Sequence, residues 1–129
     1  MPEIIRRQKA EGGRVCVVSH SYARYIVRDY EAAGLPVPDL TLGWEVGAEN
    51  QKPSPAPIHR IMDCFGYELK DILVVDDLKP GYTMARAAGC DIAVAMWGHE
   101  GELAQLVRQD CPDACFVNTP EALKNLLFY

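Results

Sequence analysis

The stretch Ile72-Leu73-Val74-Val75-Asp76-Asp77 constrains the fold of this chain more than any other. Four apolar residues, mostly β-branched, run straight into two adjacent carboxylates. A continuous apolar run of this length between helix signals fits a strand buried on both faces of a parallel sheet. Ligands of open α/β sheets bind at the carboxyl ends of such strands, which is where the two aspartates fall. Side by side, Asp76 and Asp77 repel each other. A hard cation such as Mg²⁺ is the simplest relief for that repulsion.

The remaining pattern alternates helix and strand. Residues 3–11 read as a helix stopped by Gly12-Gly13. Arg14-Val15-Cys16-Val17-Val18 reads as a second buried strand, ending at Ser19-His20-Ser21. Ser21 is a candidate N-cap for a helix from Tyr22 to Ala33, closed by Gly34. Leu40-Thr41-Leu42-Gly43 suits a short strand, and Trp44 to Gln51 has no period and reads as loop. Lys52-Pro53-Ser54-Pro55-Ala56-Pro57 is stiff, because each proline fixes its own φ and restricts its predecessor. Ile58, Ile61, Met62 and Phe65 then share one helical face that ends at Gly66.

After Asp77, Leu78-Lys79-Pro80-Gly81 reads as a turn and Tyr82 to Ala88 as a helix stopped by Gly89. Asp91 to Ala95 is the next strand and Trp97-Gly98-His99 a loop. Glu102 to Arg108 is a helix, Ala114 to Val117 a last strand, and Pro120 opens a closing helix. Such alternation predicts a Rossmann-like, three-layer α/β sandwich with a mainly parallel sheet and right-handed crossovers. At 129 residues, the length predicts one domain spanning 1–129.

Charge and composition narrow the function. A net charge of −5 argues against a nucleic-acid-binding surface. No apolar run is long enough to span a membrane, and the first residues lack the apolar core of a signal peptide. The five scattered cysteines are most simply reduced thiols, so the expected compartment is the cytoplasm. Cys111 and Cys115 lack the second ligand pair that a zinc site needs.

Three polar sites follow strands or occupy the rigid loop: Ser19, Lys52 and the Asp76/Asp77 pair. A hydroxyl can donate to an anionic oxygen, a lysine can neutralise a phosphate, and two aspartates can hold Mg²⁺. Together they suit a phosphoryl group, whose transfer depends mostly on positioning and charge stabilisation.

In this order, Val17-Val18-Ser19-His20-Ser21, Lys52-Pro53-Ser54-Pro55-Ala56-Pro57 and Val74-Val75-Asp76-Asp77 followed by Met84-Ala85-Arg86-Ala87-Ala88-Gly89 resemble the haloacid dehalogenase superfamily. Within it the likeness is to phosphoglycolate-phosphatase-like hydrolases. The resemblance implies that Ser19 binds phosphoryl oxygens, with His20 beside it as a further candidate. It implies that Lys52 is catalytic, steadying the nucleophile and the transferring group. Asp76 and Asp77 would hold Mg²⁺, Asp77 as the direct ligand. In the commoner form of the fourth motif a second aspartate follows a few residues later. Here that position is Gly81, so Asp76 takes over its role or the role is absent.

The family's first motif, Asp-x-Asp, supplies the nucleophile and general acid, and this sequence contains none. Its cap is missing too, and so is the strand that the family places between those ending at Ser19 and Asp77. The resemblance therefore implies a Mg²⁺-dependent phosphohydrolase core for a small phosphorylated metabolite, inactive as this chain alone. The alternative is a non-catalytic module that binds a partner. Three outcomes are open for the missing strand: the flanking strands pair directly, a partner or second copy supplies one, or the chain is part of a longer protein. A phosphoacceptor receiver domain has its acidic pair and lysine in the reverse order. A dehalogenase would leave the two aspartates without a purpose.

Overall fold

A computed structural model describes residues 1–128. The helices are α1 (Pro2–Ala10), α2 (Ala23–Ala32), α3 (Ala56–Phe65), α4 (Lys79–Ala88), α5 (Gly101–Asp110) and α6 (Pro120–Phe128). The strands are β1 (Cys16–Val18), β2 (Leu40–Leu42), β3 (Leu73–Asp76), β4 (Asp91–Ala95) and β5 (Cys115–Val117). Every strand pairing is parallel, which confirms the expected α/β class. The chain divides into two compact units, residues 1–51 and 52–128.

In the first unit, β1 and β2 form a two-stranded parallel sheet, with Cys16 opposite Leu40 and Val18 opposite Leu42. Ile4, Ile26, Pro38 and Leu42 are among its buried apolar side chains. One carboxylate knits its start together. Asp39 accepts the Val15 N–H at 2.8 Å and the Lys9 ammonium at 3.0 Å, with Arg14 at 3.8 Å. Lys9 also donates to the Val37 carbonyl at 3.0 Å.

Ser21 does not cap α2. The cap position is Tyr22, and the Glu45 carboxylate accepts the Ala23 N–H at 3.2 and 3.3 Å instead. The reason is non-local. The Ser21 carbonyl accepts the Trp44 N–H at 2.8 Å, and this brings the segment carrying Glu45 against the start of α2. That segment is not irregular: Trp44–Val46 and Ala48–Asn50 are single 3₁₀ turns.

In the second unit the strand order is β3-β4-β5, with Leu73 opposite Asp91 and Ala93 opposite Cys115. The expectation that the Ile72–Val75 run is buried on both faces fails here. Only Val74 of β3 is buried, and Val75 is 37% exposed. The most buried strand of this unit is β4, in which Ile92 to Ala95 are all buried and Ala93 and Val94 are 0% exposed; it has a strand on each side. The strand pairings described are β1 with β2 inside the first unit and β3-β4-β5 inside the second.

Chain punctuation explains most helix ends. Gly66 and Gly89 close α3 and α4 with φ of 72° and 88°, the left-handed conformation that only glycine adopts without strain. The expected turn at 78–81 is instead the first turn of α4. Pro80 sits within that turn, where its missing N–H has no helical partner to lose.

Asp39 gives the fold a pH signature. Burial raises its pKa, but the Val15 N–H and the charges of Lys9 and Arg14 outweigh burial and hold the carboxyl below the usual range. A depressed folded value means the unfolded chain binds the proton first as pH falls. The stabilisation is therefore full above about pH 4, the ordinary carboxylate value, and is lost below it as pH drops through the folded value. Asp39→Asn should lower unfolding stability by about 1.5–3 kcal/mol at neutral pH. Denaturant melts across an acid series should show the wild-type advantage shrinking below about pH 4.

Candidate functional site

The second unit brings two of the expected residues into contact. The Lys52 ammonium donates to Asp76 Oδ2 at 2.8 Å, with the two side chains only 17% and 15% exposed. Lys52 opens the proline-rich segment that leads into α3, and its peptide bond to Pro53 is cis. Asp76 ends β3, so the pair spans 24 residues of sequence. A charged hydrogen bond of this length, shielded from water, is among the stronger polar contacts a protein makes. Removing one member would strand the other's charge, at a cost of about 3 kcal/mol when buried.

The second oxygen of Asp76 is also engaged. Asp76 Oδ1 accepts the backbone N–H of Asp77 at 2.7 Å. The carboxylate lies against the first turn of α4, where Gly81 is buried. A Cβ on Gly81 would meet Asp76 Oδ2, Cβ and Cγ. The Asp76 side chain therefore fills the space that any residue-81 side chain would need, which gives a steric reason for glycine where the commoner motif has aspartate.

Asp77 is different. Its side chain is exposed and makes no hydrogen bond or ion pair among the described residues. Only its backbone is held: its N–H by Asp76, and its carbonyl oxygen by His99 Nε2 at 2.6 Å. The mutual repulsion of the two aspartates thus has a resident remedy in Lys52. The pair splits into a lysine-bound carboxylate and a free one. A hard cation is commonly held by one or two carboxylates plus water and phosphate oxygens. Asp77 fits the carboxylate share of that donor set. Among the described residues no cluster of three or more acidic, histidine or cysteine side chains adds to it.

Ser19 and His20 lie in the first unit, directly after β1. The Ser19 N–H donates to the Leu42 carbonyl at 2.9 Å, and its Oγ accepts the Ser21 N–H at 3.0 Å. That bond uses a lone pair and leaves the hydroxyl proton available to donate. His20 is exposed. Sequence reasoning missed the bond from His99 to Asp77. The signal was available, because adjacent parallel strands place their following loops side by side, and 96–100 follows β4 as 77–78 follows β3. All five cysteines are free thiols, and burial pushes up the pKa of Cys90 and Cys111.

Steric contact at residue 81 gives a direct test. Gly81→Ala should displace the Asp76 carboxylate and lengthen or break its bond to Lys52, destabilising the chain by about 1–3 kcal/mol. Thermal melts would measure the loss. Ala87→Gly, on the exposed side of the same helix, is the control and should cost no more than about 1 kcal/mol.

Comparison with known proteins agrees with the α/β fold. No family model matches the chain. It is 26% identical over 127 residues to a phosphoglycolate phosphatase of Haemophilus influenzae strain Rd, covering 96% of this chain and 54% of that protein. Over 73 residues it is 36% identical to the phosphoglycolate phosphatase of Photorhabdus laumondii, covering 56% of this chain and 31% of that one. Among solved structures, a predicted phosphoglycolate phosphatase of Haemophilus somnus superposes with a TM-score of 0.77 at 26% identity, covering 96% of this chain and 54% of the other. The fold is also that of a phosphoglycolate phosphatase-like protein from Lactobacillus delbrueckii, at TM-score 0.80, 19% identity and coverage of 97% and 51%. The chain spans about half the length of most of the curated relatives it matches. Fold, ordered residues and relatives agree that the chain has a haloacid-dehalogenase-like fold and is similar to the phosphoglycolate phosphatases.

Proposed function

We propose that this chain carries the lysine and metal-binding part of a Mg²⁺-dependent phosphohydrolase acting on small phosphate monoesters. The observation that carries the reading is the Lys52–Asp76 pair at 2.8 Å with a free Asp77 carboxylate beside it at the end of β3. Lys52, anchored by Asp76, holds a fixed positive charge suited to a phosphoryl oxygen and to the charge that builds during its transfer. Asp77 would hold Mg²⁺ as the direct ligand, while Asp76, bound to Lys52, adds its negative charge beside the ion. When bound, the ion supplies further charge neutralisation to the phosphoryl group. In the first unit, the Ser19 hydroxyl has its proton free to donate to a phosphoryl oxygen, and His20 is the next residue along the same loop.

Phosphoglycolate is the first substrate to try, since the relatives carry that name. The family's nucleophile belongs to Asp-x-Asp, and none occurs in the sequence. The chain alone should therefore bind Mg²⁺ without turning over phosphate esters. No helix among the described residues is long and apolar enough to cross a membrane, and a cytoplasmic site of action accords with the free thiols.

Calorimetry and a phosphate-release assay on the 129-residue chain test this together. The expected result is Mg²⁺ binding that is abolished in Asp77→Ala, with no release of phosphate from phosphoglycolate or p-nitrophenyl phosphate. Turnover that disappears in Asp77→Ala would show that the chain has a nucleophile of its own. Mg²⁺ binding unchanged in Asp77→Ala would remove Asp77 from the metal site.

A further inference from the structure

His99 lies in the loop after β4 and has no role in the chemistry above. Its backbone N–H donates to the Met96 carbonyl at 2.9 Å, closing a tight turn directly after the strand. The parallel register, with Asp76 opposite Val94, sets this turn beside the end of β3. The imidazole Nε2 comes within 2.6 Å of the Asp77 carbonyl oxygen. A carbonyl oxygen can only accept, so Nε2 carries the proton and donates. The other ring nitrogen, Nδ1, is buried and has no hydrogen-bond partner among the described residues. Leaving a buried polar atom unpaired is unfavourable. The ring tolerates that penalty while making a short bond to a single backbone atom.

That atom belongs to the residue whose side chain nothing else holds. No hydrogen bond or ion pair among the described residues holds the Asp77 carboxylate, so the region its χ rotamers can sweep is set by the backbone from which it projects. Its N–H is tied to Asp76 Oδ1, and its carbonyl is tied to His99. With both ends of the residue fixed, the Cα–Cβ direction is fixed too. Without His99, the Asp77 carbonyl loses its side-chain tether at the junction of β3 and α4, and the backbone from which the carboxylate projects is held less firmly. We propose that His99 is a positioning residue that orients Asp77 for cation binding through the Asp77 carbonyl. This rests on the reading of Asp77 as a Mg²⁺ ligand. It adds the device that would make a lone exposed carboxylate competent.

The test uses geometry peculiar to the ring. The side-chain nitrogen of glutamine reaches as far as Nε2 and can donate to the same carbonyl, whereas that of asparagine falls one bond short. Mg²⁺ affinity should survive in His99→Gln to within about twofold. It should weaken roughly tenfold or more in His99→Asn and His99→Ala, as is common for groups that orient metal ligands. In parallel, metal-free NMR spectra should show the Asp77 carbonyl and Leu78 amide signals moving in His99→Ala and returning toward wild type in His99→Gln. Wild-type Mg²⁺ affinity in His99→Ala, with Asp77→Ala still abolishing binding, would overturn the positioning role and leave the metal reading intact. If Asp77→Ala leaves Mg²⁺ binding unchanged, or the wild type binds none, the metal reading falls. The metal-free spectra then decide the positioning claim: unmoved Asp77 and Leu78 signals in His99→Ala overturn it, and moved signals rescued by glutamine uphold it.

Discussion

The bond between Lys52 and Asp76 sets the conditions for everything around it. Two adjacent carboxylates at a strand end are unstable neighbours in a partly dry setting. Lys52 neutralises one of them at 2.8 Å, so the end of β3 can be built without a bound ion. The same contact explains why residue 81 has no side chain, since the Asp76 carboxylate occupies that space. It also accounts for the stiff segment after Lys52. Prolines at 53, 55 and 57 reduce the freedom that a lysine must lose to stay in one geometry.

Burial in the second unit follows topology more than hydrophobicity. The Leu-Val-Val run of β3 is more apolar than the Ile-Ala-Val-Ala run of β4. Yet β4 is the buried strand and β3 lies at an edge. A strand with neighbours on both sides shields its faces and backbone whatever its side chains, and small alanines let the covering layers approach closely. An edge strand keeps one side open even when every residue is apolar. The apolar run at 72–75 therefore announced a strand in a parallel sheet, but not its place in the order.

Much of the fold was legible because local chemistry determined it. Gly66 and Gly89 end helices, strand β4 matches its expected bounds, and each expected helix is present. What sequence could not supply was long-range. Glu45 caps α2 from 22 residues away and displaces Ser21 from that role. Asp39 gathers Val15, Lys9 and Arg14 from 24 to 30 residues away. In the second unit the structure brings Lys52 and Asp76 into contact with Asp77 beside them, three residues that the motif order along the chain had singled out. The division of labour between the two aspartates was not legible, because it depends on which carboxylate Lys52 reaches.

Strand geometry resolves that division. Successive side chains of a strand point to opposite faces, so two aspartates in sequence at its end cannot both point the same way. At the end of β3, Asp76 turns toward Lys52 and the first turn of α4, and Asp77 is left facing solvent. The two carboxylates could converge on one ion only if the backbone turned between them. Here the Asp77 N–H folds back onto Asp76 Oδ1, and the Asp77 carbonyl points to His99. Both bonds fix the peptide units that flank Asp77 rather than its carboxylate. The acidic pair therefore works as an anchor and a free arm, and the loop after β4 sets where that arm points.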